Sequence, residues 1–243
     1  MRLTSPHRTD IAILLPNLRI GGAERVGVNL ANEFSRRGLG VDMVLGRADG
    51  ELLQALDDHV RVVDLQAKRA RAMLLPLVRY MRKSRPASVV ANMWPLTIFG
   101  VIARSLARSG GRVVAVEHTA VTHAELSMRS LHMLAQKVLS RWVLPKADAI
   151  VGVSDGMAAD FSAFVGLPRA RIATIYNPVA GVGGPTTGSL PANAAPWGKG
   201  RKRLLNVGTL KEQKNHRLLL RAFARLDERL GARLMILGDG VLL

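Results

Sequence analysis

The stretch DIAILLPNLRIGGAER, Asp10 to Arg25, decides how the rest of the chain is read. Its first half is apolar at every position from Ile11 to Leu15. That suits a strand buried on both faces better than one with a wet side. Its second half sets two adjacent glycines, Gly21 and Gly22, ahead of a segment whose Ala23, Val26, Leu30 and Phe34 recur at helical spacing. Strand, glycine turn and helix open a β-α-β unit. Glycines at such a junction let the backbone come close to a ligand, and the helix N-terminus behind them offers unpaired N–H groups to an anion such as phosphate. The spacing is neither Gly-x-Gly-x-x-Gly nor a P-loop, since residues 15 to 20 read LPNLRI. A tight turn with glycines present for steric reasons alone also accounts for it, and both readings stand here.

Working outward, the same pattern repeats. VDMVLG, RVVDL, ASVVANM, RVVAVEH, DAIVGVS and RIATIYN follow as short apolar runs separated by helical or loop segments. Buried strands alternating with helices predict an α/β fold: a Rossmann-like, doubly wound parallel sheet, here over residues 1–178. Residues 179–200, VAGVGGPTTGSLPANAAPWGKG after Pro178, are rich in Gly, Pro and Thr without a period and read as a linker. From 201 to 243 the pattern restarts. RLLNVGTL is a strand and loop, QKNHRLLLRAFARLDERL a helix, and RLMILGDG a strand and turn. One β-α-β unit of that size is too small for a core of its own, so a second, incomplete domain is expected.

The 243 residues contain no cysteine, which excludes a disulfide framework, a thiolate metal site and a cysteine nucleophile. The polar N-terminus lacks a signal-peptide pattern, and no apolar run is long enough to span a bilayer. A formal charge of +17 favours anionic partners: phosphorylated small molecules, an anionic membrane surface or nucleic acid. Sparse aromatics and the lack of any nucleic-acid-binding motif argue against the last.

Four segments, in order, resemble glycosyltransferase family 4. They are Gly21-Gly22-Ala23-Glu24-Arg25; the pair ADAIVGVS (147–154) and RIATIYNP (171–178); NVGTLKEQKN (206–215); and LGDG (237–240). The resemblance implies a GT-B architecture of two Rossmann-like halves, an acceptor-side one and a donor-side one, with the second incomplete in this sequence. It implies transfer from a nucleotide-diphosphate sugar with retention of configuration and without a metal or other cofactor. In the family an Arg and a Lys of the donor loop stabilise the departing diphosphate. Lys214 matches the Lys, whereas Thr209 stands at the Arg position, with Lys211 close by. Gly21 and Gly22 would approach the same diphosphate. His118, closing the strand RVVAVEH, matches a cleft histidine and is the candidate catalytic residue. A structural histidine is its alternative, and the neighbouring Glu117 is a lesser acid/base candidate. The family's later pair of glutamates has no counterpart before Leu243.

Two further segments are basic and amphipathic. Residues 66–85 carry seven Lys or Arg and no acid, with Met73, Leu74, Leu77, Val78 and Met81 able to share a face and Pro76 either kinking the helix or opening it. Leu126 to Pro145 holds Met128, Leu131, Leu134, Leu139 and Trp142 among Arg129, Lys137 and Arg141. Each reads either as an ordinary helix packed on the sheet or as a helix lying on anionic lipid. The expected protein is a cytoplasmic sugar transferase of surface polysaccharide or glycolipid synthesis, placed at the inner face of the membrane where a sugar or lipid-linked acceptor waits. The alternative is a non-catalytic remnant whose first domain binds acceptor or membrane only. An NAD(P) oxidoreductase is disfavoured by the absent glycine fingerprint.

Overall fold

Ile11–Leu15 forms the strand β1, and both of its neighbours run parallel to it: β2 (Val41–Leu45) on one side and β4 (Ser88–Asn92) on the other. A computed structural model of the chain describes residues 8–118, 131–178 and 202–240. The chain divides into two units, Met1–Ala180 and Gly181–Leu243. The predicted linker, 179–200, lies outside the described residues.

In the first unit, β3 (Arg61–Asp64), β5 (Arg112–Glu117), β6 (Ala149–Gly152) and β7 (Ile172–Thr174) complete a seven-stranded sheet of order β3-β2-β1-β4-β5-β6-β7, parallel throughout. The helices are α1 (Gly22–Arg36), α2 (Leu74–Ser84), α3 (Leu96–Ala107), α4 (Leu131–Val143) and α5 (Asp155–Val165). The period of two divides the strand residues between two cores. Ile13, Leu15, Met43 and Leu45 pack with Val28 and Ala31 of α1. Ala12, Leu14, Val44, Val89, Ala91, Val113 and Ala115 pack with α2, α3 and α5. Helices therefore cover both faces, and the doubly wound sheet predicted from the apolar runs is what forms.

The helical stripe of α1 differs from its expected position. Its buried residues are Ala23, Gly27, Val28 and Ala31, while Leu30 and Phe34 are only partly buried at its flank. Small residues face the sheet because the gap is tight: a Cβ at Gly27 would stand 2.6 Å from Leu15 Cδ1. In α2, Pro76 sits in the first turn, where its missing N–H would have found no partner. Met73, Leu77, Val78 and Met81 are buried, so this helix packs on the sheet and shows solvent its basic face. In α4, by contrast, Val138, Leu139 and Trp142 are exposed, Trp142 at 73%. The remainder of that predicted segment, 126–130, lies outside the described residues.

The second unit pairs β8 (Lys202–Val207) with β9 (Ala232–Leu237) in parallel around α6 (His216–Phe223). The predicted helix of residues 213–230 shrinks to eight residues for a local reason. Asn215 adopts φ +46, and its side chain accepts from Leu218 N, so the helix starts only at His216. Past Phe223 the bonds tighten to Arg225 N→Ala222 O and Leu226 N→Phe223 O, and a separate turn, Glu228–Leu230, follows. The turn after β9 lies against the loop after β8. A Cβ at Gly238 would sit 1.9 Å from Gly208 O, and one at Gly240 would sit 2.4 Å from Leu210 O. Both glycines are demanded by backbone passing backbone.

Candidate active site

In a doubly wound sheet, ligands bind beyond the carboxyl ends of the strands where the strand order reverses. Here that point lies between β1 and β4. The chain leaves β1 toward α1 on one face and leaves β4 toward α3 on the other.

On the α1 side stand Gly21 and Gly22. Gly21 is the N-cap of α1 with φ −161 and ψ 161, an extended conformation open to any residue. A Cβ on it would meet only the flexible end of Glu24, and a Cβ on Gly22 would meet nothing within 4 Å. Neither a left-handed turn nor packing within the described chain calls for glycine here. Among the described residues the steric reading finds no support at Gly22, and the space left in front of the helix N-terminus suits the approach of an anion.

The floor is polar. Asn92 ends β4 at 2% exposure. Its Nδ2 donates to Leu14 O at 3.3 Å and Val90 O at 3.2 Å, which fixes the amide so that Oδ1 faces His118 Nε2 at 3.1 Å. His118 thus carries its proton on Nε2. Its Nδ1 is buried with no hydrogen-bond partner among the described residues. Burial lowers the imidazole's pKa below 6.5, so the ring is neutral at pH 7. A neutral imidazole with a free Nδ1 lone pair can accept a hydrogen bond from an incoming hydroxyl or take its proton. By the period of two, Asn92 and His118 lie on the α1 side of the sheet and Glu117 on the α3 side. Glu117 is 5% exposed and accepts from Thr97 Oγ1 at 2.8 Å and Trp94 N at 3.2 Å. Burial pushes its carboxyl up to about 7. It holds the turn after β4, in which Met93 has φ +62 and the Trp94–Pro95 bond is cis.

The second unit carries the other two predicted residues, Thr209 and Lys214, in the loop after β8. Gly208 N donates to Leu237 O and Leu210 N to Asp239 O, which tie this loop to the glycine turn. Thr209 is half-buried. Lys214 closes a single 3-10 turn, is exposed, and passes 3.8 Å from the Cβ position of Gly208. His216 starts α6 and pairs through Nε2 with Asn206 Oδ1 at 3.1 Å, bracing the loop from behind. The structure thus brings Gly21 to Gly22 and Thr209 to Lys214, each pair within its own unit, with His118 two strands over from β1.

Asn92, Thr97 and His216 were missed in the sequence. A polar residue closing an apolar run, as in SVVAN, was the available signal for Asn92. Cavities of about 630 Å³, lined by Phe223 to Arg233, and about 450 Å³, along Arg61, Arg79, Tyr80 and Lys83, contain none of the predicted site residues. Among the described residues no three His, Asp or Glu side chains gather as a metal site requires, and no helix is long and apolar enough to cross a membrane.

Solved structures share this architecture. The chain superposes on HepE of Anabaena in complex with UDP-glucose with a TM-score of 0.71 at 16% identity, over 94% of this chain and 60% of that one. Sucrose-phosphate synthase from Thermosynechococcus elongatus gives 0.65 at 17%, over 94% and 62%. The apo form of the lipopolysaccharide outer core galactosyltransferase WaaB gives 0.60 at 18%, over 95% and 61%. At such identities the likeness is one of fold, and that fold is GT-B. The chain spans about three fifths of the length of these structures. No curated protein matches it. The family model of Glycosyltransferase Family 4 matches residues 20–180, a span that begins just ahead of the diglycine and ends past β7. With about two thirds of its residues inside that match, the chain belongs to Glycosyltransferase Family 4.

Proposed function

We propose that the protein transfers a sugar from a nucleotide-diphosphate donor to a sugar or lipid-linked acceptor in the synthesis of a surface polysaccharide or glycolipid. The open N-terminus of α1 at Gly22 carries this reading, because nothing among the described residues requires glycine there, while the close approach of a diphosphate would favour it. In the first unit the N–H groups at Gly21 and Gly22 suit the charge of a diphosphate, and in the second the ammonium of Lys214, with Thr209 in the same loop, suits that of a leaving diphosphate, with no metal needed. His118 offers Nδ1 to a hydroxyl of the transferred sugar or acceptor, and transfer proceeds with retention.

Gly22→Ala separates this reading from a purely structural one. The methyl enters open space, so the melting temperature is expected to stay within about 2 °C, as for an ordinary surface change. Affinity for a nucleotide-diphosphate sugar, followed by calorimetry, is expected to fall about tenfold, on the order of one lost close contact. Unchanged affinity would remove the diphosphate from this turn. Turnover across a donor panel, insensitive to EDTA and with product configuration read by NMR, tests the reaction itself. A folded protein that transfers nothing is the non-catalytic alternative, favoured by the exposure of Leu205, Val207 and Leu237 in the second unit.

The acceptor side is proposed to rest on the inner face of an anionic membrane. The support is the outward face of α2 and the turn before it, with Lys68, Arg69, Arg71, Leu75, Arg79, Arg82 and Lys83 exposed, and the exposed Trp142 beside Arg141 on α4. Flotation with vesicles containing phosphatidylglycerol is expected to carry the protein at low salt and to lose it at high salt. Equal recovery with neutral vesicles would sink the idea.

A further inference from the structure

We propose that Glu117 is a positioning residue: its carboxylate clamps the turn from Met93 to Thr97 against the end of β5, and so sets Asn92 and, through Asn92, the imidazole of His118. The inference rests on the reading of this strand edge as the reacting site.

Both carboxyl oxygens of Glu117 are engaged, in the arrangement a carboxylate takes between two donors. Both oxygens accept, Oε1 from the Thr97 hydroxyl and Oε2 from the Trp94 backbone N–H. The Trp94 N–H can only donate, whereas the Thr97 hydroxyl donates to the carboxylate and would accept from the protonated acid, so protonation reverses one bond of the clamp. The two donors flank the cis Trp94–Pro95 bond, one on the turn and one in the first turn of α3. A third bond, Met93 N→Val116 O at 2.9 Å, ties the same turn to β5. The turn begins at the residue after Asn92, whose Oδ1 fixes the proton of His118. One side chain thus spans the β4–β5 gap on the face opposite the one where the imidazole lies.

Among the described residues no cation offsets this buried charge. His118, on the other face, is neutral at pH 7 because burial lowers its pKa. The first turn of α3 contributes no charged side chain, only the positive end of its dipole. The ends of β4 and β6 carry none either. Asp155, opening α5, is engaged with Arg169, Thr174 and Tyr176. Burial therefore dominates and raises the Glu117 carboxyl to about 7, against the two hydrogen bonds that pull it down. A folded pKa above the ordinary 4.5 means that the stability contributed is full below about 4.5 and is lost as the pH climbs through about 7. The clamp is thus closed above neutrality, under the conditions where Glu117 costs the fold most. A residue kept for stability alone would show the opposite sign.

The test is NMR of the full chain, labelled with nitrogen-15, from pH 5.5 to 8.5, without any sugar donor. The Trp94 amide is expected to titrate with a midpoint near 7 and the His118 ring nitrogens to shift with it. Glu117→Gln is expected to abolish both steps and to melt no lower than the wild type at pH 8. Thr97→Val, which removes a donor that favours the charged form, is expected to move the midpoint upward. A flat Trp94 amide in the wild type, a step that survives Glu117→Gln, or a His118 ring indifferent to the step would each overturn the clamp. Because none of these signals needs transfer to occur, a failure of the transferase reading would show separately, as absent turnover with the titration intact.

Discussion

Asp42→Ala is expected to destabilise the first unit by about 3 to 5 kcal/mol, the cost of removing one partner from a buried ionic cluster. Asp42 is fully buried in β2, and the register places it directly beside Arg61 of β3. It accepts from Tyr80 Oη at 2.6 Å, Thr9 Oγ1 at 2.9 Å and Arg61 Nε at 2.8 Å. The bond to Asp42 is the first reason the Arg61 guanidinium is held above its ordinary value, and burial is the first reason the Tyr80 hydroxyl is. Alanine would leave a guanidinium and two hydroxyl donors facing a cavity. Urea denaturation should show the midpoint falling with little change in slope. Asp42→Asn, which keeps an acceptor but loses the charge, should cost less. So should Arg61→Ala, since the Arg61 side chain is 41% exposed and its loss can be made good by water. The cluster joins β2, β3, α2 and Thr9, two residues before β1, near the amino ends of the strands, at the edge opposite His118. Donor affinity of whatever protein remains folded should therefore be unchanged. A loss below 1 kcal/mol would mean that water replaces the carboxylate.

Lys214→Ala is expected to lower sugar transfer by about 10²- to 10³-fold, the usual loss when one preorganised donor to developing negative charge is removed. The fold should not register the change. Lys214 is exposed, and among the described residues it forms no ion pair. Its backbone N donates to Lys211 O, a bond that alanine keeps. Because Thr209 stands where the family resemblance expects an arginine, Lys214 would bear more of the diphosphate charge than one of two cations would. Lys214→Arg should recover part of the rate and Lys214→Gln almost none. Equal turnover by the alanine variant and the wild type would detach the loop after β8 from the leaving group and take the proposed chemistry with it.

The candidate site was legible to very different degrees. The diglycine could be found because a glycine pair at a strand–helix junction is a local signal, but its meaning could not. The open space at Gly22, set against the 2.6 Å approach at Gly27 one turn and a half later, shows that the described chain packs against the position of Gly27 but not against that of Gly22. His118 was singled out by its match to the family's cleft histidine, at a strand end. Its tautomer and neutrality depend on Asn92, 26 residues earlier, and on burial that no window of sequence contains. Glu117 was legible as an acid beside that histidine. Its two donors, in the turn after β4 and in α3, come from residues 23 and 20 positions earlier and were not legible beside it.

By itself the sequence determined that this protein would build a parallel sheet wound on both faces, with a diglycine turn after its first strand and a second β-α-β restart past residue 200. Those features rest on the spacing of apolar residues and on the backbone freedom of glycine, both of which act over a few neighbours along the chain. The tertiary structure alone decided that Asp42, an acid in a buried strand, would gather Thr9, Arg61 and Tyr80, and that α2 would bury its apolar face while α4 shows Trp142 to solvent. It also decided which nitrogen of His118 carries the proton. Hydrogen-bond partners and dielectric are set by groups that folding brings together from tens of residues apart, so their consequences for charge, orientation and stability exist only once the sheet has closed.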